Sequence, residues 1–442
     1  MHWILLENLT SKELVEKSEA GSYALIDARV RADSTAAAKL RENGLVILGK
    51  TSLSEWANVR SFNSSNGWSA QGGQTYGAYY PSQDPNGSSS GSAVSADLGL
   101  ALAALGTETS GSILLPAGVN NVVGIKPTVG VTSRYMVVPV SQRQDTIGPL
   151  ARTVKDAAKI LQVIAGDDSK DNYTLASPFS AGLPDYMAAC KLSALEGKRI
   201  GIPRNVIARS ETQYGEPEST AFEEAISVMS EAGAVIIDNA NFTAYDEFLT
   251  APAPQAVPII DFKQELVDYI LSLGTNPNKL FNLEEIRNFT WHDPLEDYPS
   301  RDTMIWDAVL QLPNNTSPEF WNMYQQNLYL GGEGGVLGAI SRNKLDAIIL
   351  PTSIAPGVPA IVGSPAITIP LGSMPSGSPA VPNQRGNLIQ SAPGAPFGIS
   401  FLGAKWSEET LIGIAYAFEQ RTLHRQKLQH FIKPQTELVD VL

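Results

Sequence analysis

Serine carries whatever nucleophilic chemistry this chain can do. Ser88, Ser89 and Ser90 stand together between Gly87 and Gly91, and Gly111 with Ser112 closes the same stretch, GSSSGSAVSADLGLALAALGTETSGSILLPAGVNNVVGIKPT. Glycine lets backbone approach backbone. A serine on a glycine-flanked turn can therefore present a nucleophile beside N–H donors for the oxyanion it generates. The same composition also describes a flexible linker. Against the linker stands the segment between the clusters: residues 93–105 are small and apolar, Gly99 is their one turn signal, and the run is long enough for a buried helix that would fix one cluster against the other. A tight run, ILLPAGVNNVVGIKP, lies beyond the second cluster.

The elements that must hold these turns can be read on either side. Residues 34–43 carry helix formers up to Gly44, and 45–48 form a short buried strand. Residues 61–85, polar, aromatic and glycine-rich, predict a long loop that must be packed to be ordered. Arg134 and Asp145 are candidates for an ion pair supporting the serine turns, a structural role. An amphipathic helix is expected over 153–165, a strand entering a turn over 198–205, and a helix over 216–233 stopped by Gly233. Trp291, Trp306, Phe320, Trp321 and Tyr324 suit either a pocket or a core. Strand-like IILP and AITIPL come next, and a closing helix over 407–420 starts at a capping box on Ser407.

Composition narrows the partners. The 442 residues are 43% hydrophobic and the formal net charge is −13, with no run of Lys or Arg, so nucleic acid and anionic membrane surfaces are not expected partners. One cysteine, Cys190, excludes an internal disulfide framework. No apolar stretch is long enough to span a bilayer, and the first residues lack the pattern of a secretory signal, which favours the cytoplasm over secretion. Metal-ligand spacings are absent and no cofactor is implied.

At GSSSGSA and GTETSGSILLPAGVNNVVGIKPTVGVTSR the chain resembles the amidase signature family, which includes peptide amidase, fatty acid amide hydrolase and the glutamyl-tRNA amidotransferase A subunit. AGSYALID, LVILGKTSLSEWAN, QDTIGPLARTVKDAA, DAIILPTS, PAITIPLG and PFGISFLGAKWSEETLIGIAYAFEQRT match family blocks in family order, and from about residue 20 onward the chain is similar to the peptide-amidase branch. The resemblance implies an α/β fold, a large twisted mixed β-sheet flanked by helices, over residues 1–442 as a single domain. It also implies a serine amidase that acts on a small-molecule amide through an acyl-enzyme. By motif position Ser112 corresponds to the nucleophile and Ser88 to a bridging serine held by a cis peptide. The N–H groups of Thr109, Ser110, Gly111 and Ser112 correspond to the oxyanion hole. The histidines fit this: none of His2, His292, His424 and His430 lies near a serine-rich turn, so a Ser–His–Asp triad is hard to build. A hydroxyl relay ending at a neutral, desolvated lysine is the alternative.

That lysine is where the sequence departs from the family. It belongs to a block reading GIP, a few apolar residues, then KDN, and no such block is present. Either LTSKELVEK represents the family's N-terminal helix and an interior segment is missing, or an ungapped count back from AGS puts Glu7 at the lysine position. Lys12 reads as a solvated helix lysine and Lys50 as structural. The expectation is therefore a Ser88 hydroxyl with no lysine in reach, and a rival reading in which the chain is a catalytically impaired binding or scaffold protein. Where carboxylate-binding members carry Arg, this chain has Leu114, which implies neutral or apolar amides.

Overall fold

A computed structural model describes residues 2–6, 19–179, 182–210 and 215–435. The strands of its main sheet are β1 (His2–Leu6), β2 (Leu45–Lys50), β3 (Ala103–Glu108), β4 (Val123–Lys126), β5 (Thr146–Ala151), β6 (Arg199–Ile202), β7 (Val235–Asp238), β8 (Ala347–Pro351), β9 (Ala366–Ser373) and β10 (Pro396–Leu402). They form one ten-stranded sheet in the order β2-β1-β3-β5-β4-β9-β10-β8-β6-β7. Both flanks are parallel, while the middle, from β3 through β5, β4, β9 and β10 to β8, is antiparallel. The sheet is thus the mixed one the family blocks imply.

Its helices include α1 (Thr35–Glu42), α2 (Ser90–Asp97), α3 (Leu114–Val119), α4 (Val154–Ile164), α5 (Glu216–Glu231), α6 (Ala253–Ser272), α7 (Pro318–Gly331) and α8 (Glu408–Thr422). Every residue of β5, β8 and β10 is buried, as expected of strands covered on both faces. Strand side chains alternate between faces. On β5, Ile147 joins the large core with α4 and α8, whereas Leu150, an odd number of residues on, packs with Ala93 and Ala96 of α2 and Ala117 of α3. The serine-bearing helices therefore lie on one face and the closing helices on the other. A separate apolar cluster joins α6 and α7 to Trp56 and Trp306.

Several local expectations hold. Ser34 caps α1 through the Ala37 N–H, Thr153 caps α4 through the Asp156 N–H, and α5 ends just before Gly233 at φ +92°. Others need correcting. Residues 93–105 are not one helix: α2 stops at Asp97, Gly99 turns at φ +71°, and the chain re-enters as β3. Ser407 makes no side-chain cap; its hydroxyl donates to the Ala404 carbonyl at 2.7 Å. Ahead of LTSKELVEK, which lies outside the described residues, runs β1, an inner strand on which Ile4 faces Ile47 of β2 and Ala103 of β3. Glu7 and Lys12 lie outside the described residues. Among the described residues no helix is long and apolar enough to cross a membrane.

Gly148 marks the tightest backbone approach in the sheet, since a Cβ there would lie 1.8 Å from the Ile125 carbonyl oxygen. Gly148→Ala is expected to destabilise the protein by about 1–3 kcal/mol or more, as overpacked cores do. The check is the midpoint of urea unfolding, and an unshifted midpoint would show that β4 and β5 can part without cost.

Candidate active site

The two serine turns meet beside the end of β3. The Ser89 N–H donates to the Ser112 carbonyl at 3.1 Å, and the Ser89 hydroxyl is locked to Thr107, donating to its carbonyl (3.1 Å) and accepting from its N–H (3.2 Å). Ser90 Oγ donates to the Asn86 carbonyl at 2.5 Å. The Gly87–Ser88 peptide is cis. All three serines are fully buried, but Ser88 Oγ alone of them has no hydrogen-bond partner among the described residues. The cis bond stands where the family motif implies. The direct Ser88–Ser112 hydroxyl bond that the same motif leads one to expect is not formed.

Ser112 is half-buried and lines a cavity of about 330 Å³ together with Ser88, Thr109, Asp145, Glu265 and Asp268. Its turn is held from two sides. Below it, one oxygen of the buried Glu108 carboxylate accepts the N–H groups of Ile113 (2.8 Å) and Leu114 (3.0 Å), and the Gly111 N–H is also aimed at this carboxylate. Gly111 has φ +86°, and a Cβ there would meet Leu115 at 2.8 Å, so glycine is required. Beside it, Asp145 accepts the Thr109 hydroxyl (2.6 Å) with one oxygen and the Val140 and Ser141 N–H groups (2.7 and 2.9 Å) with the other. Of the four residues expected to supply oxyanion donors, Gly111 has its N–H aimed at Glu108, while the N–H groups of Thr109, Ser110 and Ser112 meet no protein acceptor among the described residues.

Arg134 does not pair with Asp145. It forms a two-pronged bridge to Asp171 (2.8 and 2.6 Å) and stacks over Tyr173 at 4.4 Å, because Asp145 is saturated by the turn it supports. Trp291, Trp306, Phe320, Trp321 and Tyr324 are absent from the cavity wall, which is built instead from Tyr135 to Val140 and from one face of α6, Glu265, Asp268, Tyr269 and Ser272. The spacing of these α6 residues, three and four apart, was visible in the sequence; nothing there said which face met the serines. Among the described residues no lysine amine bonds Ser88 Oγ. The fully buried Lys126, its pKa brought down to about 8 by burial, donates to the Ser364 carbonyl at 2.6 Å. Leu114 is fully buried in an apolar cluster with Phe242 and Val358 and puts no charge near the turn.

The mixed sheet with two serine turns over a cavity is the arrangement that the resemblance to the amidase signature family implies. The chain belongs to the amidase family, whose model matches residues 15–412. It is 54% identical to a putative amidase of Arthroderma benhamiae over 99% of this chain and 74% of that protein, and 36% identical to a probable amidase of Arabidopsis thaliana over 96% and 77%. Among solved structures it resembles the peptide amidase of Stenotrophomonas maltophilia, at TM-score 0.84 and 33% identity over 98% of this chain and 84% of that one.

Glu265 supplies a test of the cavity's electrostatics. Burial, with Asp145 next in order, pushes its carboxyl up to about 9. Between the ordinary carboxylate range and that value the folded protein holds a proton that the unfolded chain has released, so this group makes stability fall as pH rises, by at most about 1.4 kcal/mol per unit. Glu265→Gln is expected to flatten the pH dependence of the urea midpoint between about pH 5 and 9. A slope unchanged by the substitution would place the titration elsewhere.

Proposed function

We propose that this chain hydrolyses carboxamides to a carboxylic acid and ammonia or an amine, with Ser112 as nucleophile and Ser88 as the hydroxyl that relays its proton. One observation carries the reading: of three adjacent serines only Ser88 leaves its buried hydroxyl unpartnered, and it lines the same cavity as Ser112. Buried polar groups without partners are rare in native proteins and mark sites that complete themselves with a ligand or a reacting group. In the reaction Ser112 Oγ adds to the amide carbon and gives its proton to Ser88 Oγ, whose own hydroxyl proton passes to the amide nitrogen. The oxyanion forms against the Ser110 and Ser112 N–H groups. The C–N bond then breaks as nitrogen takes up a proton, and water releases the acid from the seryl ester.

The cavity also bears on the substrate. Asp145, Asp171, Glu265 and Asp268 line it against Arg134 and Lys170, and no cation stands where Leu114 lies. Uncharged amides fit this lining, and the likeness to a peptide amidase makes C-terminal peptide amides the first class to try. An amide bearing a carboxylate near the scissile bond should show kcat/KM lower by about tenfold or more, since like charges oppose binding.

One observation favours the rival reading, a chain that holds amides but turns them over slowly: among the described residues no lysine meets Ser88 Oγ. Losing a general base costs about 10²–10⁴ in rate, while each remaining oxyanion donor still contributes about 10²–10³. Turnover by this chain should thus be slow, abolished by Ser112→Ala, and raised about 10²-fold by Glu7→Lys, the residue that an ungapped count places at the lysine position. Assays on peptide amides and simple aromatic amides read all three. No Ser112-dependent turnover, even with the lysine introduced, would favour the binding protein.

A further inference from the structure

The aromatic residues of α7 surround a cation, and the cation belongs to the chain itself. The Arg143 guanidinium lies 4.9 Å from the Phe320 ring, 5.5 Å from Trp321 and 5.0 Å from Tyr324. Its fourth side is closed by Asp261 of α6, whose Oδ1 is 2.5 Å from Nη1. Asp261 is fully buried and accepts two further hydrogen bonds, from Ser141 Oγ (2.7 Å) and Asn315 Nδ2 (3.0 Å). One turn along α6, Glu265 accepts the Gln142 N–H at 2.9 Å. Residues 141–145 form a turn closed by the Ser141 carbonyl, which accepts the Gln144 and Asp145 N–H groups at 3.0 and 2.7 Å, but no strand ladder ties this turn to the sheet. Its side chains tie it to α6 and α7, and its last residue is Asp145, whose carboxylate holds Thr109.

We propose that Arg143 is a positioning residue. Clamped between three rings of α7 and the Asp261 carboxylate of α6, it fixes the 141–145 loop and, through Asp145, the turn that presents Ser112. A methionine or leucine would fill the same space without desolvating a charge. What an arginine adds is direction, because its planar group satisfies ring faces and a carboxylate in one orientation only. The region from α6 to α7 thus acts on the serine turn without touching it. This inference rests on Ser112 being the nucleophile for its consequence in catalysis, but not for its consequence in structure.

The test uses the full chain and three variants: Arg143→Met, which removes the charge; Arg143→Lys, which keeps the charge but not the plane; and Trp321→Leu, on a ring exposed enough (44%) for that variant to fold. Hydrogen exchange followed by mass spectrometry should show the peptide over 107–113 exchanging about tenfold faster in Arg143→Met, with smaller accelerations in the other two. Turnover of a peptide amide should fall about ten- to hundredfold in kcat for Arg143→Met, with KM within about threefold, as for a misplaced rather than a missing contact. Arg143→Lys should recover part of that loss, which a generic loss of stability would not produce. If Arg143→Met does not fold, the other two decide. The proposal is overturned if folded variants leave exchange over 107–113 and kcat as in the parent, or if faster exchange stays confined to residues 141–143 and α7. Exchange needs no turnover, so loosened exchange in a chain without Ser112-dependent activity would reject the hydrolase reading and leave the positioning intact.

Discussion

The serine turn depends on two carboxylates that face it from different directions. Asp145 takes the Thr109 hydroxyl and, with its other oxygen, two N–H groups of the neighbouring loop, so it joins segments that no strand pairing connects. Glu108, buried at the end of β3, takes the N–H groups that open α3. A buried carboxylate is costly unless its lone pairs are satisfied; Asp145 has both oxygens bonded, whereas Glu108 bonds through one oxygen and leaves the other without a partner among the described residues. Thr109 and residues 111–114 are therefore fixed before any substrate arrives. In the proposed reaction, donors held in advance would stabilise a developing oxyanion without reorganising at the moment of reaction.

The same economy accounts for the acid character of the cavity. Asp145 is bound on both oxygens, so Glu265, close by on α6 and with one N–H to accept, is the carboxyl that takes a proton; burial and the Asp145 charge act on it in the same direction. Arg134 is drawn to Asp171, whose two oxygens meet its fork and also accept the Arg134 and Tyr173 N–H groups. The cavity keeps a polar, net acidic wall on the α6 side and an apolar one from Met136 to Val140. Its two serines are left as the groups with capacity to spare.

Much of the fold could be read in the sequence because its elements follow simple periodicities. The buried runs IILP and AITIPL are strands, and the amphipathic run after Thr153 is a helix capped where a threonine can accept. The misreadings have local causes. Residues 93–105 are mostly small and apolar, and short apolar runs do not separate helix from strand; Gly99 was the breakpoint, and β3 begins beyond it. The ion pair of Arg134 with Asp145 was reasonable by charge and spacing, yet Asp171 competes from a loop whose approach no pattern announces. At the site, the motif pointed to Ser88 and Ser112, but not to which of the clustered hydroxyls is free, because that depends on Thr107 and Asn86 being within reach of Ser89 and Ser90. The aromatic residues of α7 could not be assigned between pocket and core, since their partner, Arg143, lies far off in sequence.

The central claim is that Ser112 is a nucleophile presented beside prepared donors. A crystal structure of the chain with a peptide aldehyde, whose carbonyl accepts a serine but whose adduct cannot be hydrolysed, tests it most directly. The account predicts a covalent bond from Ser112 Oγ to the aldehyde carbon, with the new oxygen within about 3.1 Å of the Ser110 and Ser112 N–H groups. An aldehyde that stays unbonded in the cavity, or an adduct on another residue, would contradict it.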